Sequence, residues 1–240
     1  MVSPTATVDR ARLYALVPCA GVGERAGTAG RKQYAPLAGR SVVAHTLSAL
    51  MAVPRLAATL VVLAPGDAEF ERHAPTFIGA RAWVARCGGD TRARSVLNGL
   101  KALRDRGVHD DDWVLVHDAA RCLLRPAWVD SLVDACLADP VGGLLALPLA
   151  DTLKLGAAGR VAATLDRRDK WLAQTPQMFR LGLLHRALAA GTAGLHHITD
   201  ESSAIEALGH APLLVPGEAE NFKLTWPADF ALAQRLLETR

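Results

Sequence analysis

In LYALVPCAGVGERAGTAGRKQY, residues 13–34, an apolar run of strand length passes directly into a glycine-rich turn. Gly21, Gly23 and Ala26 satisfy G-x-G-x-x-A, the pattern of a dinucleotide-binding turn. That pattern also requires a helix opening among the glycines and an acidic residue some twenty positions on. Gly27, Gly30 and Pro36 break any such helix, and Asp67, the first acid after the next apolar strand run, comes too late. A Walker loop fails too, because GRKQ (30–33) has no hydroxyl for magnesium. The turn instead carries cations, Arg25 and Lys32 among them. Glycines let backbone N–H groups close on an anion, while Arg offers a planar fork and Lys a mobile point charge. A triphosphate that must be neutralised while it reacts accounts for the glycines and the cations together. Ordinary solvated charges on a loop account for the cations alone.

Outward from this turn, short apolar runs alternate with amphipathic ones. LAATLVVLAP (56–65), RAWVAR (81–86), DWVLVHD (112–118) and GLLALPL (143–149) read as strands. SVVAHTLSALMA (41–52), RARSVLNGLKALRDRG (92–107) and PAWVDSLVDACLAD (126–139) read as helices. Nearly continuous Val/Leu/Ala strands between helices imply an α/β fold with a Rossmann-like, mostly parallel sheet and helices on both faces. Ligands of such sheets bind beyond the carboxyl ends of the strands, where the turn 18–33 lies.

The alternation stops after Leu149. Residues 150–179 mix turn residues with period-2 segments, and TLKL and RVAATL around Gly156–Gly159 suggest a protruding hairpin with too little apolar surface to stand alone. Helices return at 181–191 and 200–209, PLLVPG and NFKLT read as strands, and PADFALAQRLLET closes the chain as a helix. A single domain over 1–240 is expected, with no second enzyme domain after the last helix.

The formal charge is +3, with basic residues scattered rather than striped, which gives no support to nucleic-acid binding. Cys19, Cys87, Cys122 and Cys136 lie far apart with no C-x-x-C pair, as expected of reduced thiols in a soluble, cytoplasmic protein. No run has the length of a signal peptide or a membrane span.

Seven further segments follow the glycine turn in order: CGGDTRARSV (87–96), VHDAAR (116–121), DTLK (151–154), TLDR (164–167), WLAQTPQ (171–177), ITDE (198–201) and ENFKLT (220–225). With PCAGVGERAGTAGRKQY they resemble nucleotidyltransferases with a glycosyltransferase-A-like sheet, and among them the 2-C-methyl-D-erythritol 4-phosphate cytidylyltransferases. The resemblance covers nearly the whole chain. It implies magnesium-dependent transfer of CMP from CTP to a sugar-alcohol phosphate, releasing pyrophosphate, in non-mevalonate isoprenoid biosynthesis. It also implies a homodimer joined through residues 150–172 as a β-arm.

By the same resemblance, Arg25, Lys32 and Lys223 stabilise the reacting phosphates. Pro18, Cys19, Ala20, Gly21 and Gly23 hold the nucleotide, and Gly89, Asp90 and Ser95 surround the cytosine. Asp118, Ala119, Arg121, Thr152, Arg167, Thr175 and Thr199 form the acceptor site, with Thr152 and Arg167 crossing to the partner and Asp118 also meeting magnesium. Plainer roles exist for several: Asp90 as a turn or cap residue, Thr199 as a helix cap, Lys223 and Arg167 as surface charges. Arg168 is an alternative to Arg167. The chain departs from the family pattern at Cys122, where proline is usual, at Glu220 in place of aspartate and at Trp226 in place of arginine. A ribitol 5-phosphate cytidylyltransferase shares the CTP loop and is the nearest rival; a non-catalytic nucleotide-binding protein of the same fold is the other.

Overall fold

The structure, a computed structural model, describes residues 11–21, 30–193 and 198–240. β1 (Leu13–Pro18) precedes the glycine turn; after it come the short hairpin of β2 (Pro36–Leu37) and β3 (Arg40–Ser41), then α1 (Val42–Met51) and β4 (Leu56–Val62). A single turn, α2 (Phe70–His73), leads to β5 (Ala82–Ala85), α3 (Arg92–Asp105), β6 (Trp113–Val116), α4 (Pro126–Leu137) and β7 (Gly142–Pro148). β8 (Leu153–Ala157) and β9 (Arg160–Leu165) precede β10 (Trp171–Arg180), α5 (Leu181–Ala193), α6 (Glu201–Ala207), β11 (Leu213–Pro216) and α7 (Pro227–Glu238).

Seven strands form one sheet in the order β11-β7-β10-β6-β1-β4-β5. Only β10 runs antiparallel to its neighbours, β6 and β7; the other pairings are parallel. The alternation of β1 shows why both faces are covered. Leu13, Ala15 and Val17 enter a core shared with Leu47 of α1 and Val133 of α4, whereas Tyr14 and Leu16 enter one shared with Leu100 of α3 and Leu184 of α5. Each strand is therefore apolar on both sides, as the continuous runs require. Gly99 makes one helix contact possible, because a Cβ there would stand 2.6 Å from Val62.

Helix ends follow local chemistry. Ser41 and Thr91 cap α1 and α3, accepting from the backbone of Ala44 and Arg94; Pro126 opens α4; Gly107, at φ +82, follows the end of α3. β8 and β9 pair only with each other and form the hairpin expected around Gly156–Gly159. Among the described residues, no helix is long and apolar enough to cross a membrane.

NFKLT is not a strand. Residues 219–221 form a single 3-10 turn and the chain then runs irregularly to α7. Its alternation is real but serves a different packing: Phe222 and Leu224 join a third apolar cluster with Cys122, Leu123 and Ala233. The Leu224 N–H is spent on the Ala120 carbonyl at 2.9 Å, a loop and not a ladder partner. Cys122, in the position where proline was expected, is buried in that cluster.

Candidate active site

β1 has β4 on one flank and β6 on the other, so the chain's crossovers diverge at the β1/β6 seam. A cavity of about 340 Å³ opens beyond the carboxyl ends of these two strands. Pro18, Cys19, Ala20 and Gly21 form one wall, Gly89, Asp90 and Ser95 another, and Asp118 and Ala119 a third, with Lys32 and Lys223 at the same cavity. Gly23 and Arg25 lie outside the described residues.

The walls are held by specific bonds. Gln33, itself buried, donates through Nε2 to the carbonyls of Cys19 and Gly21 at 3.1 and 3.0 Å, closing the start of the glycine turn. Its far end is pinned by Asp67, which accepts from Arg31 and, at 2.6 Å, from the Tyr34 hydroxyl. A Cβ on Gly88 would stand 2.3 Å from that of Ala20, so only glycine lets these two walls approach. The Ser95 hydroxyl accepts from the Gly89 N–H at 3.0 Å and donates to the Thr91 carbonyl at 2.9 Å, so it shapes the loop it was expected to share with the base. Asp90 is exposed at the cavity, and Thr91, not Asp90, is the cap of α3.

Asp118 is the centre of charge. Its Oδ1 accepts from Arg92 Nε at 2.8 Å, its Oδ2 lies 2.9 Å from Lys223 Nζ, and Arg121 Nε is 3.8 Å away. Burial alone would raise the carboxyl's pKa, but Arg92, Lys223 and Arg121 hold it well below the usual carboxylate range. The outer nitrogens of Arg92 bind both oxygens of Glu201 at 2.7 and 2.9 Å. Lys32 donates to the Leu224 carbonyl at 2.7 Å, tying the glycine turn to the segment that carries Lys223.

Beside the first cavity lies a second of about 190 Å³, which shares Arg92, Asp118 and Lys223 with it and is lined as well by Arg121, Thr175 and Thr199. Arg121 donates to the carbonyls of Asn221 and Ala173, at 2.7 and 3.2 Å, while its buried Nε has no hydrogen-bond partner among the described residues. Thr175 stands between two groups: the Asp118 N–H donates to its oxygen at 3.0 Å, and its oxygen lies 3.1 Å from His117 Nδ1. His117 Nε2 faces the Arg121 carbonyl at 3.1 Å and must donate there, so Nδ1 is the acceptor and Thr175 its donor. Burial lowers the His117 pKa to about 4, keeping the ring neutral. Thr199 is exposed and does not cap α6; Asp200 does, accepting from the Ser203 N–H at 2.9 Å. Asp200 caps with Oδ1, while its Oδ2 accepts from Gln177 Nε2 at 2.9 Å.

Thr152 and Arg167 do not line either cavity of their own chain. Both are exposed at the root of the hairpin, where Arg167 donates to the Ala150 carbonyl. Arg92 and Glu201, conversely, were given no role by sequence reasoning although they stand inside CGGDTRARSV and ITDE. Their signal was a charge in the wrong place: Arg92 opens α3, whose first turn holds no acid to match the helix dipole. Among the described residues, no group of three His, Cys, Asp or Glu side chains could hold a metal ion, and Asp118 is the one carboxylate common to both cavities.

A family model for 2-C-methyl-D-erythritol 4-phosphate cytidylyltransferase matches residues 13–239. A bifunctional IspD/IspF enzyme of Albidiferax ferrireducens is 63% identical over 95% of this chain, which spans only 54% of that protein. A 2-C-methyl-D-erythritol 4-phosphate cytidylyltransferase of Paraburkholderia xenovorans is 54% identical, covering 94% of this chain and 96% of the relative. A crystal structure of a 4-diphosphocytidyl-2C-methyl-D-erythritol synthase superposes with a TM-score of 0.84 at 40% identity, over 95% of this chain and 99% of that one. A turn that departs from the dinucleotide pattern, a charge-lined cavity where β1 and β6 diverge and these matches converge: the chain belongs to the 2-C-methyl-D-erythritol 4-phosphate cytidylyltransferase family.

Proposed function

We propose that the chain transfers CMP from CTP to 2-C-methyl-D-erythritol 4-phosphate, giving 4-diphosphocytidyl-2-C-methyl-D-erythritol and pyrophosphate. The observation that carries this is the pair of adjoining cavities that share Arg92, Asp118 and Lys223. One side has the glycine turn and Lys32 for a triphosphate; the other has Arg121, with a spare buried N–H, for an acceptor phosphate. The nucleophile is a phosphate oxygen already ionised at neutral pH, so no general base is needed. His117 agrees with that: it is neutral, buried and bonded at both nitrogens. Catalysis then rests on alignment and on charge placed against the crowded α-phosphate, supplied by Lys32, Lys223 and, from the turn, Arg25.

A magnesium ion would be held mainly by the triphosphate, with Asp118 as its one protein carboxylate, and would neutralise phosphate charge when bound. The donor set fits an ion that arrives with the nucleotide and not a resident one, because three cations already crowd Asp118. Chelation should therefore stop turnover without unfolding the protein, and Asp118→Asn should raise the magnesium concentration giving half-maximal rate. A metal dependence unchanged in that variant would remove Asp118 from the role.

The hairpin is proposed as a dimer arm whose Thr152 and Arg167 complete the partner's acceptor cavity. Support comes from its apolar side chains Leu155, Val161 and Leu165, which stay exposed among the described residues. Four free cysteines, three of them buried, suit work in the cytoplasm. The test is pyrophosphate release from CTP with each acceptor in turn. Turnover with the methylerythritol phosphate and little with ribitol 5-phosphate is expected; the reverse preference would transfer the assignment to the rival, and binding of CTP without release would make the chain a nucleotide-binding protein.

A further inference from the structure

Arg92 spends its guanidinium in two directions. Nε holds Asp118 at 2.8 Å, and both outer nitrogens hold Glu201 at 2.7 and 2.9 Å. Glu201 is fully buried, so its charge is tolerable only with such a partner. Arg92 lines both cavities, and Glu201 neither. A free arginine at that wall would offer two N–H forks to any phosphate, because that is the geometry guanidinium groups favour. Here the fork is already taken.

We propose that Glu201 is a positioning residue: by occupying the outer nitrogens of Arg92, it keeps that guanidinium on Asp118 and off the substrate's phosphates. The reading rests on the CMP-transfer assignment above. Asp118 has a second clamp, Lys223, at 2.9 Å, but that ammonium is the mobile one and is the group expected to turn toward phosphate. When Lys223 leaves, the Arg92 Nε contact is what remains at hydrogen-bond distance from the carboxylate, since Arg121 stands at 3.8 Å. Glu201 makes that contact independent of whether substrate is bound. It also lies at the first position of α6, directly after Asp200, which lines the acceptor cavity, so the acceptor wall and the nucleotide wall are joined through one ion pair.

The charge count gives the proposal a signature that simple structural damage lacks. Arg92, Arg121 and Lys223 against Asp118 and Glu201 leave one positive charge; Glu201→Gln leaves two and frees part of the fork. CTP should then bind as tightly as before or up to about tenfold tighter, while kcat falls by about 10- to 100-fold because Asp118 is no longer held. A second variant, Arg92→Met with Glu201→Leu, removes both charges together and leaves Asp118 its Lys223 contact, so no buried ion of the unliganded protein is left unpaired. It should keep CTP binding within a few-fold and show the same loss of kcat. CTP affinity is measured by calorimetry without acceptor, kcat by pyrophosphate release, and folding by the thermal transition of each variant. CTP binding weakened in parallel with kcat in Glu201→Gln, or wild-type kcat in the double variant, overturns the proposal. Wild-type protein that binds CTP but transfers nothing to the acceptor overturns the reaction assignment instead, and the sign of the affinity change in Glu201→Gln still decides the role of Glu201.

Discussion

Two Asp–Arg contacts in this molecule have similar chemistry and opposite circumstances. At the sheet edge, Asp118 meets Arg92 in a buried cluster; on the arm, Asp166 meets Arg168 with both side chains largely in water. The buried pair is set by three elements, α3, the β6 loop and the segment before α7, and belongs to a network that reaches Glu201 and Lys32. The exposed pair joins residues two apart on the arm; such pairs are screened and contribute little. The difference is between a region organised before any ligand arrives and one whose apolar side chains, Leu155, Val161 and Leu165, stand exposed.

The sharpest way to break the contrast is to remove a cation from the organised region. Lys223→Ala or Lys32→Ala should each lower kcat by about 10²–10³, with much less effect on CTP binding, because the charge matters most as the α-phosphate becomes crowded. Steady-state rates beside calorimetric affinities check this. Near-normal turnover in either variant would show that the cavity's charges are structural.

A second effect comes from His117. Its folded pKa of about 4 lies below the ordinary 6.5, so the neutral ring contributes stability that is complete above about 6.5 and is lost as pH falls toward 4. The expected contribution is about 3 kcal/mol. Urea unfolding of the wild type and of His117→Asn at pH 7 and pH 4 measures it: the variant should be less stable at neutral pH but lose less on acidification. Equal losses in the two proteins would contradict the assigned neutral ring. Asp118, whose folded pKa is lowered, acts in a lower window, below about 3.8, so the two groups separate on the pH axis.

The smallest expected effect is on the arm itself. Val161→Asp places a charge on an exposed apolar side chain and should leave the thermal transition of the isolated sheet body nearly unchanged. It should weaken dimerisation, read by light scattering across a dilution series, and lower activity by about tenfold at concentrations where the chains separate. A protein that is monomeric before and after the change would leave the arm without a partner.

The sheet was legible because its strands are apolar on both faces and its helices carry ordinary caps, so local pattern and tertiary position agree. β1 is the apolar run read as leading into the glycine turn, and the β8–β9 hairpin was visible from its turn and alternation. The irregular segment around Leu224 was misread as a strand for a physical reason. Burial on alternate residues looks the same whether the backbone pairs with a strand or with a loop, and only the contact from Leu224 to Ala120 distinguishes them. Many of the residues named from the sequence line the two cavities, yet Arg92 and its ion-pair partner Glu201 were given no role, because a partner 109 positions away leaves no mark on local pattern. Thr175 lines the second cavity, but its hydroxyl proton is committed to His117, which only three-dimensional bonding reveals.

The most direct test of the account joins its two regions in one experiment. Arg167→Ala and Lys32→Ala chains, each nearly inactive alone, are mixed under conditions where exchange of subunits is followed by mass. If the arm of one chain completes the cavity of the other, a heterodimer has one site with both defects and one site with neither, and activity should return on mixing to about a quarter of wild type when exchange is complete. Complete exchange with no recovered activity would mean that each chain finishes its own site, and the account of an organised edge waiting for a partner's arm would be wrong.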